Sequence, residues 1–274
     1  MRINRNTVLV GRKVVLVPYR KQHVPRYHEW MKDPLIQEQT ASEPLSLDEE
    51  YEMQQSWAVD EDKLTFIILA RPDMDSQGAS EVTSEDANVD DLIATGKMVG
   101  DVNIFFNECY DDDEEDGADN RDEAVEKGRG SKSEQRRVFD AECEIMIAEH
   151  SYRRKGIARE ALEMMFSFVT TQPTPVANDP SGASESSEVA SKVEQATGSD
   201  GKSHCSLPIP SAWLTCKISL TNDPSIQLFE SLGFTRHKVS EIWQEVEMRF
   251  QDDAPHRLSQ FGESIRRVLF WPDE

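Results

Sequence analysis

Between Ala141 and Val169 the periodicity of the chain switches once, from two to about 3.6, and that switch restricts the folds open to it. Ala141 to Ala148 reads as a strand, in which Glu142 and Glu144 alternate with Cys143, Ile145 and Ile147 and so share the opposite face. From Arg159 to Val169 the residues Ala161, Leu162, Met165, Phe166 and Val169 recur at i, i+3, i+4 spacing, the apolar stripe of an amphipathic helix. The connection between them contains Arg153, Arg154, Lys155, Gly156, Ile157 and Ala158, so it is basic and has one glycine. At a helix start several backbone N–H groups have no intrahelical partner and the macrodipole adds partial positive charge, an arrangement that suits a phosphate. Gly156, without a β-carbon, is expected to let a ligand approach the backbone, and Ala158 keeps the next turn small.

Elsewhere strands and helices alternate. Lys13 to Pro18 carries the continuous apolar run of a buried strand. Val24, Tyr27, His28 and Met31 fall at helical spacing before Pro34, and Ser46 followed by Glu49 predicts a capped second helix. Thr65–Ala70, Met98–Phe106, Trp213–Ile218 and Trp243–Phe250 read as further strands, and Pro224–Leu232 as a helix stopped by Gly233. The predicted order is β-α-α-β-β-β-α-β-α-β, an α+β fold. The stretches 75–95, 107–137 and 173–206 lose this periodicity and fill with acids, Ser, Gly and Pro, so they are expected to be disordered insertions in a single domain spanning 1–250. The tail, 251–274, leaves open whether Leu258 to Trp271 forms a docked helix.

Charge narrows the partners. Acidic residues number 52 against 30 basic ones, and a net charge of −22 repels nucleic acid and anionic membrane surfaces. Asp111 to Asp116 is an unbroken acidic run and reads as a solvated loop. Cys109, Cys143, Cys205 and Cys216 show no metal-binding or redox spacing, so neither a metal nor a disulfide is expected. The start has no apolar signal core, and the apolar runs fall far short of the roughly 20 residues that span a bilayer. A soluble cytoplasmic protein is the expectation.

Two motifs together identify a family. Arg153 to Ala158 reads R-x-x-G-x-A, and Asn222 to Phe234 reads N-x-x-S-x-x-L-F-x-x-L-G-F. Together they resemble the acetyl-CoA-binding core of the GNAT superfamily. His23–Met31, Thr40–Leu45, Val99–Asn103 and Gln244–Val246 are similar to its N-acetyltransferase 9 branch. The resemblance implies a twisted, mostly antiparallel sheet whose strands Ala141–Ala148 and Trp213–Ile218 splay apart, with acetyl-CoA in the gap as co-substrate. It implies that backbone groups at Ile147 and Ala148 pair with the pantetheine arm and that Arg153, Arg154, Lys155, Gly156, Ile157 and Ala158 hold the pyrophosphate. Asn222 faces the cofactor while capping its helix, and Phe229 packs beside the cofactor. Glu142 and Glu144 are the candidate bases. Ser42 and Glu43, between the first two helices, are candidates for binding the acceptor, whereas Tyr27, Trp30 and Trp57 read as core. The reaction implied is acetyl transfer to an amine, and the branch points to a protein N-terminal α-amine, that of tubulin. The residues themselves do not select that acceptor. Lysine or small-amine acetylation stays open. So does an acetyl-CoA-binding or microtubule-associated scaffold with little turnover, because Phe229 stands where many members carry a tyrosine that protonates the departing thiolate.

Overall fold

The computed structural model describes residues 1–72, 88–110, 137–171, 206–251 and 255–272. In chain order β1 (Thr7–Val10) and β2 (Val14–Pro18) lead into α1 (Val24–Trp30), α2 (Pro34–Gln39) and α3 (Leu47–Val59). There follow β3 (Lys63–Ala70), α4 (Val89–Thr95), β4 (Lys97–Tyr110), β5 (Arg137–Ile147) and α5 (Ile157–Thr171). The last elements are β6 (Leu214–Ser219), α6 (Asp223–Leu232), β7 (Phe234–Ser240), β8 (Glu245–Phe250), α7 (Pro255–Glu263) and β9 (Arg267–Phe270).

The strands form one sheet in the order β7-β8-β6-β5-β4-β3-β2-β1-β9, and every pairing is antiparallel except β5 with β6. A strand can be apolar at successive positions only if both faces of its sheet are covered. That is why β2 and β3 read as unbroken runs. Leu16, Phe66, Ile68 and Ile104 join Ala161, Leu162, Met165 and Phe166 of α5 in one buried cluster. Val15, Val17, Ile67 and Leu69 join Tyr27 and Trp30 of α1 in another, on the opposite face. Each helix start is built as its sequence dictates: Ser46 and Glu49 cap α3 reciprocally, and the Asp33 carboxylate accepts from the Leu35 amide at 2.9 Å ahead of Pro34.

The predicted α+β class is the observed one, and four parts of the reading need correction. Val89–Thr95, placed inside the first expected insertion, is a helix capped by the Asn88 side chain, which accepts from the Asp91 amide at 2.9 Å. The second expected insertion, 107–137, takes in the end of β4 and the first residue of β5, which pair from Tyr110 and Arg137 onward. Trp213 lies in a 3₁₀ turn before β6, and Trp243 lies in the turn before β8. The tail forms α7 and then β9, which pairs with β1 at Thr7↔Phe270 through Val10↔Arg267, so the sheet extends beyond residue 250. The disorder expected of 75–87, 111–136 and 173–205 lies outside the described residues.

Two features of the sheet position the site. Parallel pairing of β5 and β6 is confined to Ala141↔Leu214 and Glu142↔Thr215, after which the two strands part. Past that point β5 is paired only with β4, and β6 only with β8. On the far side of β5, β4 comes so close that a β-carbon on Gly100 would lie 1.9 Å from the Met146 carbonyl oxygen, so this position admits only glycine.

Candidate active site

Where β5 and β6 separate, a cavity of about 500 Å³ opens. One wall is the end of β5 at Ile145, Met146 and Ile147. The turn that follows contributes Tyr152, Arg153, Arg154 and Gly156, and the start of α5 contributes Ile157 and Ala158. Asn222, Ser225 and Leu228 face them from the start of α6, and Ile36, Gln39 and Thr40 of α2 and its end close the rim.

The turn is shaped by two left-handed residues, Arg154 at φ 64° and Gly156 at φ 78°. A side chain in that region costs on the order of 1 kcal/mol, and such backbone concentrates at functional turns. Arg153 bends back so that its Nε donates to the Ile147 carbonyl at 2.8 Å, tying the turn to the strand it leaves. α5 then begins with its first amides at the cavity, the arrangement expected of an anion cradle. The bareness of Gly156 has a use beside the expected one. A β-carbon there would lie 2.7 Å from Lys13 Nζ, so the missing side chain makes room for a lysine behind the turn as well as permitting the positive φ.

Of the residues expected to hold the cofactor, Ile147, Arg153, Arg154, Gly156, Ile157, Ala158 and Asn222 line the cavity. Asn222 also caps α6, its side chain accepting from the Ser225 amide at 3.3 Å. Three others are outside the lining. Lys155 lies outside the lining, with its ammonium over the Tyr152 ring at 5.4 Å. Ala148 is buried in the cluster under α1. Phe229, expected beside the cofactor, is instead 2% exposed and packs edge-on against Phe234 at 5.1 Å, because the apolar stripe of α6 turns toward the sheet. Its neighbour Leu228 takes the cavity wall. Ser42 and Glu43 also lie outside the lining. The Ser42 hydroxyl donates back to the Thr40 carbonyl at 3.2 Å and Glu43 is exposed, while Gln39 and Thr40 just before them reach the rim. The signal for that rim was present in the sequence as Asp33-Pro34, a cap followed by an N1 proline.

A polar stripe runs beside the parting. The register sets Asp101 opposite Met146, Asn103 opposite Glu144 and Phe105 opposite Glu142, so these side chains share the face under α1 and α3. Glu142 is held in an ion pair with Lys217 of β6 at 2.8 Å. Glu144 is exposed and, like Glu142, lies outside the cavity lining, yet the protein packed around it withdraws part of its hydration. That partial burial, with the Glu142 and Asp101 carboxylates adding to it and the lysines 217 and 63 opposing it, raises its pKa to about 7. Asp101 is 1% exposed, and burial pushes its carboxyl up to about 6 although Asn103 donates to it at 2.8 Å and Tyr27 at 3.4 Å. Tyr27 and Trp30 are buried, as expected, and they also serve carboxylates: the Trp30 indole donates to Glu149 at 2.9 Å. Trp57 is partly buried, edge-on to Phe105. The role of Asp101 was not foreseen: alternation with Val102 and Ile104 sets it on the face of Asn103, but nothing local says what covers that face.

The comparisons with known proteins agree with this geometry. A family profile described as "Acetyltransferase (GNAT) domain" matches residues 13–235. An N-acetyltransferase 9-like protein of Nematostella vectensis is 36% identical over 253 residues, covering 92% of this chain and 90% of the relative. One of Schizosaccharomyces pombe, of the same name, is 34% identical over 248 residues, 90% and 97% of the two chains. A mouse protein named alpha/beta-tubulin-N-acetyltransferase 9 is 35% identical over 257 residues, 94% of this chain and 76% of that one. This chain belongs to the GNAT acetyltransferase family and is an acetyl-CoA-dependent acyltransferase.

Proposed function

We propose that this acyltransferase acetylates the α-amine of a protein N-terminus, with acetyl-CoA lying between β5 and β6. The amides of Gly156, Ile157 and Ala158 and the guanidinium groups of Arg153 and Arg154 receive the pyrophosphate. The pantetheine arm runs along β5 toward Met146 and Ile147. The neutral amine attacks the thioester carbon, the tetrahedral oxyanion is held by backbone N–H groups, the attacking nitrogen gives up its proton to Glu144, and collapse breaks the C–S bond and expels the CoA thiolate. A thiol with pKa about 8.5 is a tolerable leaving group, so the burial of Phe229 does not block the reaction.

One observation carries the choice of acceptor: Glu144, on β5 beside the parting, has its pKa raised to about 7. An α-ammonium of pKa about 7.7 to 8.0 is matched by such a base, whereas a lysine near 10.4 would yield its proton far less readily. The name of the mouse relative supports tubulin as the protein that supplies the amine, and thereby a cytoplasmic site of action. The test is acetyl transfer measured by mass spectrometry on three peptides: an α-tubulin N-terminal peptide, the same peptide with a blocked N-terminus, and one with its only amine on lysine. We expect the free N-terminal peptide to be acetylated at least about tenfold faster than the others. Equal rates on the lysine peptide would overturn the α-amine assignment.

A further inference from the structure

The phosphate turn is braced from behind by a hairpin far away in sequence. Lys13, in the β1–β2 turn, donates from Nζ to the carbonyl of Lys155 at 2.7 Å across a separation of 142 residues. It does not line the cavity. Its own position is fixed: its backbone N–H donates to the Glu160 carboxylate of α5 at 2.8 Å, and the amides of Arg12 and Val14 also serve that buried group. The fit is tight, since a β-carbon on Gly11 would lie 2.3 Å from the same Glu160 oxygen. The hairpin and the first turn of α5 therefore hold each other twice, once through a carboxylate fed by amides and once through an ammonium on a carbonyl.

The consequence follows from the peptide bond. The bond joining Lys155 to Gly156 is trans, as only Leu207–Pro208 is cis among the described residues, and in a planar trans peptide the C=O and the N–H point in opposite directions. An ammonium that captures the Lys155 carbonyl from outside turns the Gly156 amide hydrogen away from the hairpin, and Gly156 borders the cavity on its other side. The absent β-carbon of Gly156 is what admits the ammonium.

We propose that Lys13 is a positioning residue for the CoA diphosphate, which sets the Gly156 amide toward the phosphates and places a cation behind them without touching them. The inference rests on the assignment of this cavity to acetyl-CoA. A donor aimed before the ligand arrives costs no ordering at the moment of binding, and a fixed cation nearby strengthens it. Lys13 thereby adds a requirement to the phosphate motif from outside it.

The test compares ligands that do and do not carry phosphate. CoA binding is measured by calorimetry, and acetyl-pantetheine binding by ligand-observed NMR, on the full chain as wild type, Lys13→Met and Lys13→Arg. We expect Lys13→Met to weaken CoA about tenfold, with acetyl-pantetheine within about twofold of wild type, and Lys13→Arg to keep CoA within about threefold because it retains a charged donor. If Lys13→Met lowers the unfolding temperature so far that binding cannot be measured, Lys13→Gln takes its place with the same expectation. Unchanged CoA affinity in the uncharged variant overturns the proposal, as does an equal loss for both ligands or an arginine variant as weak as methionine. Wild type that binds no CoA would instead overturn the cofactor assignment itself.

Discussion

Glu144 and Asp101 lie on adjacent strands of one sheet face, and the Asp101 carboxylate helps to raise the pKa of Glu144. A base works only when unprotonated, so a carboxylate raised to about 7 makes turnover rise with pH through that value and fall below it. Glu144→Gln is expected to lower kcat/KM about a hundredfold and to remove the limb near 7 from the pH–rate profile, leaving only that of the acceptor amine at about 7.7 to 8.0, with CoA affinity unchanged. A retained limb near 7 would show that another group titrates. Asp101→Asn keeps an oxygen for Asn103 and Tyr27 but deletes a negative charge that raises Glu144. The acid limb should then move to lower pH, and a limb that moves up or stays in place removes Asp101 from the electrostatics of the site.

Among the elements, those with one buried face were legible and those without were not. α5 was plain because its stripe of Ala161, Leu162, Met165, Phe166 and Val169 is wholly buried between the sheet and its neighbours. Phe166 is fully buried and rings with Phe234 at 5.4 Å and Phe261 at 6.1 Å, so Phe166→Ala should cost about 3 to 5 kcal/mol of stability in a urea titration. A loss below about 1 kcal/mol would mean that this cluster does not organise the fold. β7 escaped the reading because it is an edge strand: Phe234 is buried, whereas Thr235 to Val239 are exposed and leave no alternation to find. α2 and α4 escaped because six or seven residues give at most two turns of periodicity, and only their caps announce them. In the site, the phosphate turn was legible because its residues are contiguous. The lysine behind Gly156 was not, since nothing local in the sequence reports a contact made across 142 residues, and α2 was announced only by its cap, Asp33-Pro34.

At the scale of the molecule, a net charge of −22 would repel a polyanionic cofactor, whereas two arginines of one turn line the cavity where helix α5 also points its positive end. Two parts of the sheet, β7-β8-β6 and β5 through β9, are joined in the strand ladder, among the described residues, by two pairs only, Ala141↔Leu214 and Glu142↔Thr215. Acetyl-CoA bound between them should slow amide exchange over Cys143–Ile147 and, at a hundred times its dissociation constant, stabilise the fold by about 2.7 kcal/mol. Identical exchange with and without the ligand would place the donor elsewhere. The donor's arm then behaves as a surrogate rung in an interrupted ladder, so the occupied enzyme is its most cohesive form. Releasing spent CoA would then mean unzipping part of the molecule's own architecture, which would make the tempo of turnover a property of the seam as much as of the chemistry.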